Sequence, residues 1–90
     1  MTDVLSTPEP EKRIELAKAV THAGVSHDEL VLREPDAGEM EDVDHLQGVA
    51  WTIALVAKVA GVPPKAVRQV PVSKLNECSE YLASFVGAAR

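Results

Sequence analysis

Ninety residues, 46% of them apolar and 26% charged, make one small domain able to bury roughly 60–68% of its unfolded surface. The net charge of −5 is lopsided: residues 1–45 hold twelve acids and four bases (−8), residues 46–90 two acids and five bases (+3), which disfavours nucleic acid as a partner because a phosphate-binding domain presents a basic face. The single cysteine, Cys78, cannot form an internal disulfide, no apolar run is long enough for a bilayer, and the N-terminus lacks the pattern of a signal peptide, so the composition describes a soluble intracellular chain with no membrane partner.

Met1 to Glu11 contains Ser6-Thr7-Pro8-Glu9-Pro10 and little to bury. We take residues 1–12 as a flexible tail and 13–90 as a single domain.

Arg13 to Gly24 supports two readings. Alanine and lysine favour a helix. The alternation of Ile14 and Leu16 about Glu15, a turn at His22-Ala23-Gly24 and a second alternating segment at Glu29 to Arg33 favour a β-hairpin. A lone strand at Leu30 to Arg33 would leave its backbone groups without partners, which decides for the hairpin, with about Arg13 to Leu16 paired with Glu29 to Arg33. His22, Ser26 and His27 then fall in the hairpin loop.

Pro35 disfavours helical backbone at Glu34, so Leu32 to Glu34 stays extended. Asp36 with Glu39 three residues on has the Asp-x-x-Glu form of a capping box, opening a short helix of about Asp36 to His45 with Met40 and Val43 inward. The acids Glu39, Glu41, Asp42 and Asp44 suit the start of a solvated helix, a docking surface being the alternative. Gly48 marks a bend or break. The next helix, about Val49 to Ala60, stops at Gly61 before Pro63 and Pro64. Lys65 to Val70 has room for one turn, and Ser73 is the expected cap of a last helix, about Lys74 to Val86. That helix places Leu75, Cys78, Leu82, Phe85 and Val86 on one face and Asn76, Glu77, Glu80 and Ser84 on the other. The fold class is therefore α+β, a small N-terminal hairpin followed by three to four α-helices.

The middle helix has two apolar stripes: Val49, Ile53, Val56 and Ala60 on one side, Trp51, Leu55 and Val59 nearly opposite. A helix apolar all round is either central or carries an interaction surface. The functional expectation is that Trp51, Leu55 and Val59, extended by Tyr81, bind a partner.

Chemistry is hard to place. His22, His27 and His45 do not fall at spacings that converge on a metal, and Cys78 sits on an apolar face with no base suggested nearby. The five glycines are dispersed and form no phosphate loop. A helix-turn-helix over Val49 to Tyr81 would meet Pro71 and present Glu77 and Glu80 to phosphate, which leaves DNA binding the lesser alternative. No catalytic, cofactor or metal residue is expected.

The segment Leu30-x-Leu32-Arg33-Glu34-Pro35-x-Ala37-Gly38-Glu39-Met40, then an alanine-rich helix, then Gly61-Val62-Pro63-Pro64 and a final helix after Val72-Ser73, resembles the small tail assembly chaperones of contractile-tailed, Mu-like phages. The similarity covers roughly Ile14 to Val86, including the ungapped spacing of an N-terminal hairpin, and departs at Ala19, where relatives often carry proline. In it, Leu32, Arg33, Glu34, Pro35 and Gly38 form the strand-to-helix junction, a structural motif. The resemblance implies a non-enzymatic protein of the host cytoplasm that binds the tape measure protein and keeps it soluble while the tail tube polymerises. It also implies absence from the finished virion, with the tail tube protein and a second copy of the chain as further candidate partners. A small acidic interaction domain of another role is the alternative.

Overall fold

The computed structural model describes residues 10–86, ordered as a β-hairpin followed by four helices. Strand β1 (Glu11–His22) pairs antiparallel with β2 (Val25–Arg33). Helices α1 (Ala37–Asp42), α2 (Gly48–Ala60), α3 (Pro64–Val67) and α4 (Val72–Val86) follow. This is the expected α+β class. The expected tail lies outside the described residues as far as Glu9, while Glu11 and Lys12 already belong to β1.

The hairpin reaches further than the alternation of its apolar residues predicts. Pairing runs from Glu11 opposite Arg33 to Glu15 opposite Glu29, breaks at a bulge, and resumes from Val20 opposite His27 to His22 opposite Val25. Within the bulge Leu16, Ala17, Lys18 and Ala19 stand opposite the single residue Asp28, so period-2 alternation fails there and hides the outer half of the strand. Val25 to Asp28 are strand, not loop, and Ser26 and His27 lie in the ladder, with the Thr21 and Ser26 hydroxyls 2.9 Å apart across it. The connection is the two-residue loop Ala23-Gly24. Its φ values of +53° and +81° are those of a type I′ turn, whose twist matches the strands and whose second position glycine fills without strain.

The sheet buries one face. Ile14, Leu16, Val20, Leu30 and Leu32 point inward, and α2 lies against β2 while α3 and α4 lie against β1. The core closes with Val43, Leu55, Val56, Ala66, Val67, Cys78 and Leu82. Val43 follows α1 directly and is buried as expected, with Met40 half-buried.

Helix α2 is central: it contacts β2, α1, α3 and α4. Gly61 ends it in the left-handed conformation (φ +68°), and the Val62 N–H reaches back to the Ala57 carbonyl at 3.1 Å, the wide bond of a helix end that only glycine adopts easily. Ser73 is not the cap of the last helix. α4 begins at Val72, and the Pro71 carbonyl accepts from the Lys74 and Leu75 N–H groups at 3.0 and 2.9 Å, so a proline just ahead of the first turn supplies the entry geometry. Leu75, Cys78 and Leu82 are buried on α4 and Asn76, Glu77, Glu80 and Ser84 exposed, as the periodicity predicts.

Candidate functional site

The strand-to-helix junction is assembled around one carboxylate. Asp36 accepts from the Glu39 N–H at 2.8 Å, and Glu39 Oε1 accepts from the Asp36 N–H at 3.0 Å, completing the capping box. Arg33, the last residue of β2, donates to both Glu39 oxygens at 2.8 and 2.7 Å and to the Glu34 carbonyl at 3.1 Å. A bidentate guanidinium fixes direction as well as distance, so the end of the strand is fastened to the first turn of α1. The Arg33 bond and the Asp36 N–H together hold the Glu39 carboxyl well below the usual range, at about 2. Pro35 is buried and Leu32 fully so, whereas Gly38 has ordinary helical backbone and open space except for the Asp36 carboxylate. Lys58 meets Asp42 at 3.1 Å and ties α1 to α2. Arg33, Asp36, Glu39 and Asp42 are thus engaged in holding the corner, while Gly38 and the Glu34 side chain make no described contact that holds it.

The expected contact stripe is not a surface. Trp51 is 5% exposed, Leu55 fully buried, Val59 6% and Tyr81 9% exposed. The reason is that α2 is enclosed on several sides, so its Trp51–Leu55–Val59 stripe is consumed by the fold, and Tyr81 is turned inward beside Phe85 in an edge-to-face pair with centroids 5.1 Å apart. The other stripe is the less covered one: Val49 is 64% exposed and Ile53 and Ala60 are half-buried.

Val49 marks the rim of an open groove of about 670 Å³ between the α1–α2 connection, the first turns of α2, and α4. Leu46, Trp51, Leu75 and Ala83 give it an apolar lining; Gln47, Thr52, Asn76 and Ser79 give hydrogen-bonding groups, and Asp44 a carboxylate. Its volume lies in the range of small-molecule clefts, but its openness and its two helical walls suit a segment of chain laid between them. The sequence places Trp51 here only in part, as buried floor. Asn76 and Ser79 were missed because polar residues on an exposed helix face carry no signal until a second wall stands opposite.

Among the described residues no three of His, Cys, Asp and Glu come together as a metal site would require. Cys78 is fully buried, and burial, aided by Glu77, pushes its thiol up to about 11, so it stays protonated and acts as a small apolar side chain. Among the described residues no helix is long and apolar enough to cross a membrane.

No curated protein and no solved structure matches the chain. A family model does, over residues 13–87, and its description is phage tail assembly chaperone proteins, E, or 41 or 14. The matched span runs from Arg13, the third residue of β1, through the whole of α4, so all of the hairpin but Glu11 and Lys12, the Arg33–Glu39 corner and both walls of the groove lie inside it. By that match over most of its length, the chain belongs to the phage tail assembly chaperone family.

Proposed function

We propose that this protein is a non-enzymatic chaperone of the host cytoplasm that binds the tape measure protein and keeps it soluble until the tail tube forms around it. Family membership supports the general role. The observation that carries the finer reading is the groove between α2 and α4, with an apolar floor, polar walls and an exposed Val49 at its rim; the other large apolar side chains exposed among the described residues, Val25 and Val72, do not line it. A chaperone for a long amphipathic chain needs a place where a helical segment can shelter its apolar ridge from water, and an open groove with an apolar lining is such a place.

The test is steric. Asn76 is exposed and lines the groove, so Asn76→Trp fills it without entering the core. Lys65→Trp, on α3 away from the groove, is the control. Co-expressed tape measure protein is expected to stay in the soluble fraction with the wild type and with Lys65→Trp and to precipitate with Asn76→Trp. Equal solubility with all three would remove the groove from the reading.

A further inference from the structure

We infer that the outer edge of β1 at Thr21 is a strand-pairing site for a second copy of this chain, and that Gln69 keeps it closed by standing where the second copy's peptide group would. The inference is independent of the groove.

The hydrogen bonds at Thr21 define what chemistry fits there. Gln69 accepts from the Thr21 N–H at 3.2 Å and donates to the Thr21 carbonyl at 2.8 Å. Thr21 stands opposite Ser26 in the ladder, yet both of its backbone groups point away from β2. Such outward pairs are what a third strand binds in an antiparallel sheet. A carboxamide offers the same donor and acceptor as a peptide group, so an extended backbone satisfies these two atoms as well as Gln69 does.

A copy of β1 fits this edge by symmetry. Antiparallel pairing about a two-fold axis at Thr21 sets the Thr21 N–H of each protomer against the Thr21 carbonyl of the other. Ala19 then falls opposite Ala23, and Val20 opposite His22. From Ala19 to Ala23 there is no acid, lysine or arginine, so the two copies meet without like charges in register. The rest of the hairpin is different. Glu11, Lys12, Arg13 and Glu15 in the first half of β1, and Asp28 and Glu29 in β2, supply the charged side chains that ordinarily keep an edge from pairing. Past the bulge that protection is missing, and the Gln69 clamp takes its place. Gln69 is exposed and lies just after α3, so its side chain can turn into water without disturbing the core.

Sedimentation velocity over a concentration series compares the wild type with Gln69→Ala. The variant is expected to self-associate about tenfold more strongly or better, because neither protomer has to give up two hydrogen bonds to pair, and to stop at the dimer. Its Thr21 amide should exchange fast in dilute solution and more slowly as the concentration rises. Gln69→Ala/Thr21→Pro lacks the pairing N–H, which lies outside the β1–β2 ladder where proline is tolerated, and should be folded and monomeric. Where circular dichroism shows that proline unfolds the hairpin, Gln69→Ala/Thr21→Lys decides. It keeps the backbone groups but sets like charges opposite each other at the axis, so it should weaken the dimer, most of all at low salt. A Gln69→Ala protein no more associated than the wild type overturns the inference. Association indifferent to the Thr21 substitutions, association that Asn76→Trp abolishes instead, or growth past the dimer overturns it as well.

Discussion

Ala23 holds a backbone conformation that its side chain resists. At φ +53° it occupies the first position of a type I′ turn, where an L-residue with a Cβ loses about 1–2 kcal/mol relative to the right-handed region and asparagine or glycine is favoured. Ala23→Asn creates the preferred Asn-Gly pair and should stabilise the protein by about 0.5–1 kcal/mol, which a thermal melt would register as a rise of roughly 2–8 °C. Ala23→Val, β-branched at the same position, should do the reverse. Glu39 gives the second prediction at this scale. Its carboxyl titrates near 2 in the folded protein against an ordinary 4.5, chiefly because Arg33 binds the charged form. A group with a lowered folded pKa stabilises fully above its unfolded value and loses that contribution as pH falls through the folded one. Stability should therefore decline between about pH 4.5 and pH 2. Glu39→Gln can still close the capping box but has no charge to titrate, so urea midpoints measured across that window should fall less steeply for it than for the wild type.

Gln69, just after α3, performs a task at the level of elements that no local pattern announces. Its side-chain amide accepts from the Thr21 N–H at 3.2 Å and donates to the Thr21 carbonyl at 2.8 Å, so one side chain serves both backbone groups of an edge residue as a neighbouring strand would. It anchors the outer half of the hairpin, past the bulge, to the helical layer and covers part of an edge open to pairing with other chains. Gln69→Ala should speed amide hydrogen exchange at Thr21 and around the turn while leaving the Leu30 and Leu55 amides unchanged, a local loosening of about 1 kcal/mol or less per bond. The hairpin, the Pro35 stop, the capping box, the Gly61 end and the buried face of α4 were legible in the sequence because each rests on residues close together in the chain. The extension of the strands beyond Leu16 was not, since the bulge breaks the alternation. Nor was the groove, whose walls are about thirty residues apart and become neighbours only when α2 and α4 meet.

For the whole molecule, the consequential question is where apolar surface goes in a domain this small. Helix α2 is apolar on two sides, which a sequence alone divides into core and contact surface without saying which is which. The fold resolves it by surrounding the helix: Leu55 and Val56 are both fully buried although they lie on different stripes, and of the large apolar residues of α2 Val49, at the N-terminal end, is the one that is exposed. Three substitutions test that assignment together. A domain of ninety residues has about 5–13 kcal/mol of net stability. Leu55→Glu forces a carboxylate into a site with no water and no partner, at several kcal/mol, and should leave a largely unfolded chain by circular dichroism. Leu82→Ala, at a fully buried position of α4, should remain folded but lose about 2–5 kcal/mol in urea denaturation through the cavity it leaves. Val49→Glu introduces the same acid at a position 64% exposed in the first turn of α2, where the helix dipole favours negative charge, and should change stability by less than about 0.5 kcal/mol. A folded Leu55→Glu protein, or an unfolded Val49→Glu one, would mean that the inner and outer ends of α2 are exchanged, and the groove would have to be sought on the opposite side of the helix.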